Sequence, residues 1–160
     1  LIVYNSHRNN REGEKMKLST LGRYGARAMV DLAVHQDESP VLLKDIAARQ
    51  DVSEKYLEHI FAGLRKAGLV KSLRGSKGGY YLAKKPDEIT LFDIINALEG
   101  SLAIVHCVED PSRCKRVKNC VTRDVWSQLS DAFQNILASV TLEDMAEKQK
   151  KPTVNAMYYI

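Results

Sequence analysis

Three observations predict a mainly α fold of winged helix-turn-helix type with a long C-terminal helix. Two short helical stripes flank the turn Gln50-Asp51-Val52, a glycine-rich hairpin follows the second stripe, and a last apolar stripe runs from Val121 to Val140. Apolar residues three and four apart mark a helix face, and short alternating runs bounded by glycine mark strands. A supporting helix, a helix pair and a two-stranded wing are the parts of that fold.

The chain's 160 residues and 44% hydrophobic composition suit one globular domain with an appended helix. No apolar run approaches the roughly 18–20 residues that a membrane-spanning helix needs. The first fifteen residues, polar and charged after Leu-Ile-Val-Tyr, lack the apolar core of a signal peptide and read as a tag or upstream extension before a start at Met16. Three cysteines cannot all pair within one chain, so thiolate chemistry in a reducing, cytoplasmic compartment is expected rather than a disulfide framework. The expected organisation is 1–15 extension, 16–86 winged helix-turn-helix, 87–120 fourth helix and cysteine loop, 121–147 dimerisation helix with a short terminal helix, and 148–160 mobile tail.

In order, Leu21, Tyr24, Ala28, Met29, Leu32 and Ala33 form the first stripe, with Ser19 or Thr20 as its N-cap. Asp37-Glu38-Ser39-Pro40 breaks it, and a short helix over Leu43 to Arg49 buries Ile46 and Ala47. Ser53 caps a third helix that buries Leu57, Ile60, Phe61 and Leu64 and stops at Gly68. Leu69 to Arg74 and Tyr80-Tyr81-Leu82 are the wing strands around Gly75-Ser76-Lys77-Gly78-Gly79. Thr90, with Asp93 three residues on, caps a fourth helix carrying Leu91, Ile94, Ile95 and Leu98 and ending at Gly100. The last long helix carries Val125, Leu129, Ala132, Phe133, Ile136, Leu137 and Val140 as one seam, longer than a small domain need cover, which suits a helix from a second subunit. Thr141 restarts a short terminal helix.

Between His59 and Pro86 there is no acidic residue, while Arg65, Lys66, Lys71, Arg74, Lys77, Lys84 and Lys85 all fall there. A basic run alone is usually solvated surface. Set on a helix end and a hairpin, this one suits the phosphate backbone of double-stranded DNA. The candidate DNA-binding residues are Ser53, Lys55, Tyr56, Glu58 and His59 on the third helix, and Arg74, Gly75, Ser76, Lys77 and Gly78 in the wing. Arg74 and Lys77 reach toward a groove, and the glycines permit close approach because they carry no side chain. Glu58 repels phosphate but can accept a hydrogen bond from cytosine N4. For Tyr24, Tyr80 and Tyr81 packing between helix and wing is the favoured role.

All three cysteines, Cys107, Cys114 and Cys120, lie within fourteen positions in the pattern Cys-x6-Cys-x5-Cys. Zinc ribbons use two Cys-x2-Cys knuckles and four thiolates, whereas wider gaps suit a cluster with separated irons. Arg113, Lys115, Arg116 and Lys118 would offset the charge of a thiolate-bound cluster. Three incidental thiols on a flexible loop remain the plain alternative.

With these residues in view, the chain resembles the IscR-like iron–sulfur winged-helix transcription regulators, the family that also includes NsrR, RirA and CymR, from Met16 to about Glu147. Met16-Lys-Leu-Ser-Thr-Leu-Gly-Arg-Tyr-Gly-Ala-Arg-Ala-Met29 resembles the family's opening helix, and Val52-Ser-Glu-Lys-Tyr-Leu-Glu-His-Ile-Phe-Ala-Gly-Leu-Arg-Lys-Ala-Gly-Leu-Val70 its recognition helix. Leu73-Arg-Gly-Ser-Lys-Gly-Gly-Tyr80 is similar to its wing and Cys120-Val-Thr-Arg-Asp-Val-Trp126 to the start of its dimer helix. The resemblance implies a homodimeric regulator, not an enzyme, that binds an operator and holds a cluster, 2Fe–2S in preference to 4Fe–4S, on Cys107, Cys114 and Cys120. It further implies control of iron–sulfur assembly genes, a screening role for Glu58 on DNA and a groove role for Arg74. Two departures stand out: the first cysteine gap has six residues instead of five, and Arg123 stands where the family has a histidine ligand. A guanidinium is a poor metal ligand, which leaves His106, Glu109, Asp110, a partner residue or solvent as the fourth donor. A nitric-oxide- or iron-responsive regulator, or a zinc-stabilised interaction module, are the alternatives.

Overall fold

The computed structural model describes residues 18–36, 39–75 and 78–151. Ser19 opens α1 (Thr20–His35) by accepting the Leu21 and Gly22 amides on its hydroxyl. α2 (Leu43–Gln50) ends at Asp51, which takes a left-handed conformation (φ 52°) and turns the chain into α3 (Glu54–Lys66). The Ser53 hydroxyl caps α3 by accepting from the Tyr56 amide at 3.3 Å. Leu57, Ile60, Phe61 and Leu64 are fully buried, as their spacing predicts, and join Met29, Leu32 and Ile46 in one core.

Gly68, at φ 73°, leads into the hairpin of β1 (Val70–Leu73) and β2 (Gly79–Leu82), antiparallel with Val70 opposite Leu82 and Leu73 opposite Gly79. Tyr80 exchanges backbone hydrogen bonds with Val41 at 2.8 Å each way, which ties the wing to the strand-like residue before α2. Position 79 requires glycine here, since a Cβ would sit 2.7 Å from the Val41 carbonyl oxygen. Burial does not alternate along β1: Val70 is buried while Lys71, Ser72 and Leu73 are exposed, and it is β2, through Tyr80 and Leu82, that packs on the domain.

A 3-10 turn (Pro86–Glu88) precedes α4 (Leu91–Glu99), whose start is the expected reciprocal cap: Asp93 accepts from the Thr90 amide at 2.9 Å and Thr90 from the Asp93 amide at 3.1 Å. Then come α5 (His106–Glu109), α6 (Val121–Ala138) and α7 (Leu142–Lys150). The sequence grouped the terminal helix with α6 and ended it at residue 147. It runs to Lys150 and packs on α1, with Leu142 and Ala146 buried and Met145 against the core. The Leu142 amide donates to the Ile89 carbonyl at 2.7 Å and the Leu91 amide to the Val140 carbonyl at 2.8 Å, so the two ends of the α4–α6 excursion are joined side by side.

The seam expected on α6 divides in two. Leu137 is buried toward its own chain, on the stripe that also carries Ser130 and Arg123 at seven-residue spacing. On the adjoining side, Val125, Leu129, Phe133 and Ile136 stay exposed, Ile136 to 65%. The 3.6-residue period marked one apolar face; packing uses two.

Candidate DNA interface and cysteine loop

The outer side of α3 carries Lys55 and Glu58, both exposed, near the capping residue Ser53. At its C-terminal end Arg65 donates to the Ser72 hydroxyl of β1 at 3.3 Å, so the outer sides of helix and wing adjoin. Beneath them the Phe61 ring meets Tyr80 edge-on, centroids 4.7 Å apart, which fixes the hairpin against the helix. Arg74 and Gly75 are exposed at the hairpin tip, and the Gly78 amide donates to the Gly75 carbonyl at 2.9 Å. Gly75 has φ 111°, a conformation that favours glycine. Ser76 and Lys77 lie outside the described residues.

Two of the expected contact residues also have neighbours on other helices. Tyr56 is half-buried, its ring edge-on to Tyr24 of α1 at 6.0 Å, because the first turn of α3 rests on α1. His59 is exposed but borders a shallow groove of about 300 Å³ with Leu21, Ala62, Gly63, Lys66 and Leu98, on the α1 and α4 side of the helix. Helical spacing located both as off-core positions; it does not reveal which neighbour each meets.

Sequence reasoning missed the polar cluster behind the helix pair. Asp31 is 1% exposed in the middle of α1. Its carboxylate accepts from Arg49 Nε at 3.0 Å on both oxygens, from Arg49 Nη2 at 2.6 Å and from Gln50 Nε2 at 2.9 Å. Hydrogen bonding to Asp31 is the chief cause that raises the Arg49 pKa. The available signal was a lone acid between Val30 and Leu32 in an apolar stripe, which demands a partner when buried.

The cysteine loop is built of short turns: α5, then 3-10 turns at Pro111–Arg113 and Val117–Asn119. Asp110 stabilises the first of these by accepting the Ser112 amide and hydroxyl at 3.0 and 2.6 Å, and these bonds with Arg113 nearby hold its carboxyl below the usual range. All three cysteines are half-exposed free thiols. Cys120 is the N-cap of α6; the Thr122 hydroxyl 3.3 Å from its sulfur, helped by backbone amides of the first turn and by Arg123, lowers its pKa. Arg123 Nε donates to the Cys107 carbonyl at 3.2 Å, so this side chain ties the loop's first cysteine to the helix instead of offering a ligand.

As donors, three thiols in a basic loop suit an iron–sulfur cluster. Their placement does not: among the described residues no three His, Cys, Asp or Glu side chains are grouped to hold a metal ion. The expected constellation of Cys107, Cys114 and Cys120 is therefore not formed in this conformation. The intervening turns close on their own hydrogen bonds, and gathering three thiolates carries a cost that a bound metal would offset. His106, Glu109 and Asp110 do not complete such a group either.

A helix-turn-helix with a hairpin packed on its second helix defines a winged-helix protein of the DNA-binding class. Residues 18–148 match the Rrf2 family, described as iron-dependent transcriptional regulator, and the chain belongs to that family of transcription regulators, which are not enzymes. It is similar to the HTH-type transcriptional regulator CymR of Bacillus subtilis (strain 168), 44% identical over 145 residues that cover 91% of this chain and 100% of the relative. The solved structure of that global cysteine regulator superposes with a TM-score of 0.69 at 45% identity, covering 82% of this chain and 97% of the other. It is also similar to IscR of Photorhabdus laumondii subsp. laumondii, 41% identical over 135 residues, 84% of this chain and 82% of the relative. The structure of T. potens IscR superposes with a TM-score of 0.70 at 46% identity, covering 89% of this chain and 96% of that one. No helix among the described residues is long and apolar enough to cross a membrane.

Proposed function

We propose that this regulator works as a homodimer that reads a double-stranded operator with α3 and the wing. We further propose that Cys107, Cys114 and Cys120 hold an iron–sulfur cluster, 2Fe–2S in preference to 4Fe–4S, whose state governs transcription of iron–sulfur assembly genes. One observation carries the DNA reading: the exposed outer side of α3, with Lys55 and Glu58, adjoins through Arg65 a hairpin ending in exposed Arg74. The run from Ile60 to Lys85 adds only positive charge to this face, which favours phosphate. The exposed apolar side of α6 supports a second copy as partner, since a self-complementary stripe is what a two-fold dimer buries. The cluster reading rests on the donor types, on the basic loop and on the similarity to IscR; binding requires the loop turns to rearrange and gather the thiols. When bound, a cluster supplies a redox- and iron-sensitive charge centre at the loop. The chain's own Arg113, Lys115, Arg116 and Lys118 would balance it.

A second reading is favoured by the Arg123–Cys107 bond and the ungrouped thiols: a loop that works without metal in a protein responding to cysteine status, in line with the similarity to CymR, the global cysteine regulator of B. subtilis. Anaerobic purification with iron and sulfide analysis separates the two. Stoichiometric iron and sulfide with visible absorption support the cluster, and a colourless, metal-free protein with full operator affinity supports the second. For the DNA reading, Arg74→Ala is expected to weaken binding to a duplex selected by the protein by about 1–3 kcal/mol. Unchanged affinity in an electrophoretic shift titration would remove the wing from the reading surface.

A further inference from the structure

The polar cluster behind the helix pair is more than an ion pair. Tyr24, Arg27 and Asp31 lie on one face of α1 at three- and four-residue spacing. Asp31 grips Arg49 and Gln50, the last two residues of α2. Arg27 grips the same end from outside, donating from Nε to the Gln50 side-chain oxygen at 3.1 Å and from Nη2 to the Gln50 carbonyl at 2.9 Å. The Arg27 guanidinium also lies 5.3 Å over the Tyr24 ring, and Tyr24 meets Tyr56 in the first turn of α3. One stripe of α1 thus holds the chain on both sides of the Asp51 turn, at the exit of α2 and the entry of α3.

From this geometry we infer that Asp31, with Arg27, is a positioning residue for DNA recognition: it sets the angle at which α3 meets the major groove. The inference rests on the proposed role of α3 as the reading helix. The turn itself consists of Asp51, Val52 and Ser53; the Asp51 and Val52 amides both donate back to the Ala47 carbonyl of α2, and the Ser53 carbonyl accepts only from α3, so each end bonds to its own helix. Such a turn leaves the interhelical angle to whatever packs on its two ends, and base readout demands placement finer than the backbone-phosphate term does. A carboxylate only 1% exposed is a rigid anchor for this purpose, because its partners cannot drift without leaving the charge unpaired.

The test compares two duplexes, one selected from a random library by the unaltered protein and a scrambled one of equal length. Asp31→Asn is expected to lower affinity for the selected duplex about tenfold, with less than about twofold change on the scrambled duplex, at matched folded protein. Arg27→Ala, which removes an exposed partner and spares the core, is expected to act in the same direction more weakly. It carries the test if Asp31→Asn does not fold. A mere loss of folded protein lowers both affinities together, and that outcome, or no change in either variant, overturns the inference. Glu58→Ala serves as the control on the outer side of α3. If it leaves sequence preference intact, the reading of α3 falls and this inference with it. If it shifts preference while Asp31→Asn and Arg27→Ala do not, the positioning role alone falls.

Discussion

Glu99, the last residue of α4, caps the start of α1. Its Oε1 accepts from the Ser19 amide at 3.1 Å, the Ser19 hydroxyl at 2.5 Å and the Gly22 amide at 3.2 Å, eighty positions away in the chain for Ser19. A carboxylate at a helix N-terminus meets unpaired amides and the positive end of the helix dipole. Glu99→Gln keeps the shape and removes the charge, and it is expected to cost about 1 kcal/mol. Urea denaturation reads this as a lower midpoint with unchanged slope; an unchanged midpoint would mean that the Ser19 hydroxyl suffices.

The same two helices meet closely through Leu98. A Cβ on Gly25 would overlap Leu98 Cδ1, and one on Gly63 of α3 would come within 3.2 Å of Leu98 Cδ2. Gly25→Ala is therefore expected to destabilise by about 1–3 kcal/mol through overpacking, despite the better helix propensity of alanine. Pairing it with Leu98→Ala should recover part of that loss if the clash is the cause. Thermal unfolding of both variants against Leu98→Ala alone measures the coupling.

The exposed side of α6 tests the proposed assembly. Leu129→Lys and Phe133→Asp place charge on a stripe that is 45% and 37% exposed in the single chain. They are expected to leave helix content unchanged and shift sedimentation from dimer to monomer at micromolar protein. Operator affinity should fall with it, since two reading heads no longer act together. A dimer that persists in both variants would place the interface elsewhere.

At α7, Thr141 and Asp144 cap each other: Asp144 accepts the Thr141 amide at 3.0 Å and Thr141 accepts the Asp144 amide at 3.1 Å. The bonds from Thr141, with Lys148 contributing, lower the Asp144 pKa. A group depressed on folding stabilises above its unfolded value, near 4, and loses that contribution as pH falls through the folded value. Asp144→Asn is thus expected to lower the melting temperature at pH 7 and to converge with the unaltered protein in strong acid. A gap that stays constant across that range would show that the charge is irrelevant to the cap.

Much of the fold was legible because its helices announce their own starts. Ser19, Ser53, Thr90 and Thr141 each cap the helix that follows, and periodicity marked the buried side of α3. Neighbours were less legible. Leu137 read as one more member of the seam, because a repeat shows that a face is apolar without saying what covers it. The return of α7 to α1 depends on a bridge between Thr90 and Thr141, about fifty positions apart, which no local pattern carries. At the cysteine loop, residue type suggested the chemistry, while the arrangement of the thiols follows from turns such as the one around Asp110. Asp31 escaped notice because Arg49 and Gln50, which make its burial tolerable, lie eighteen and nineteen residues away.

The paired bonds that join Leu91 to Val140 and Leu142 to Ile89 anchor both ends of the segment between them. α4 lies on α1 and α3 and its last residue, Glu99, caps α1, so the parts that project from this anchorage are the cysteine loop and α6. α6 alone is about 27 Å long at 1.5 Å per residue. Cys120 sits at its far tip and Leu137 near the anchored end. Ser130, whose hydroxyl accepts from the Ile104 amide at 3.1 Å, braces the helix midway against the segment that leads into the loop. The three half-exposed thiols are thereby presented at the end of a braced arm, outside the core that holds α3.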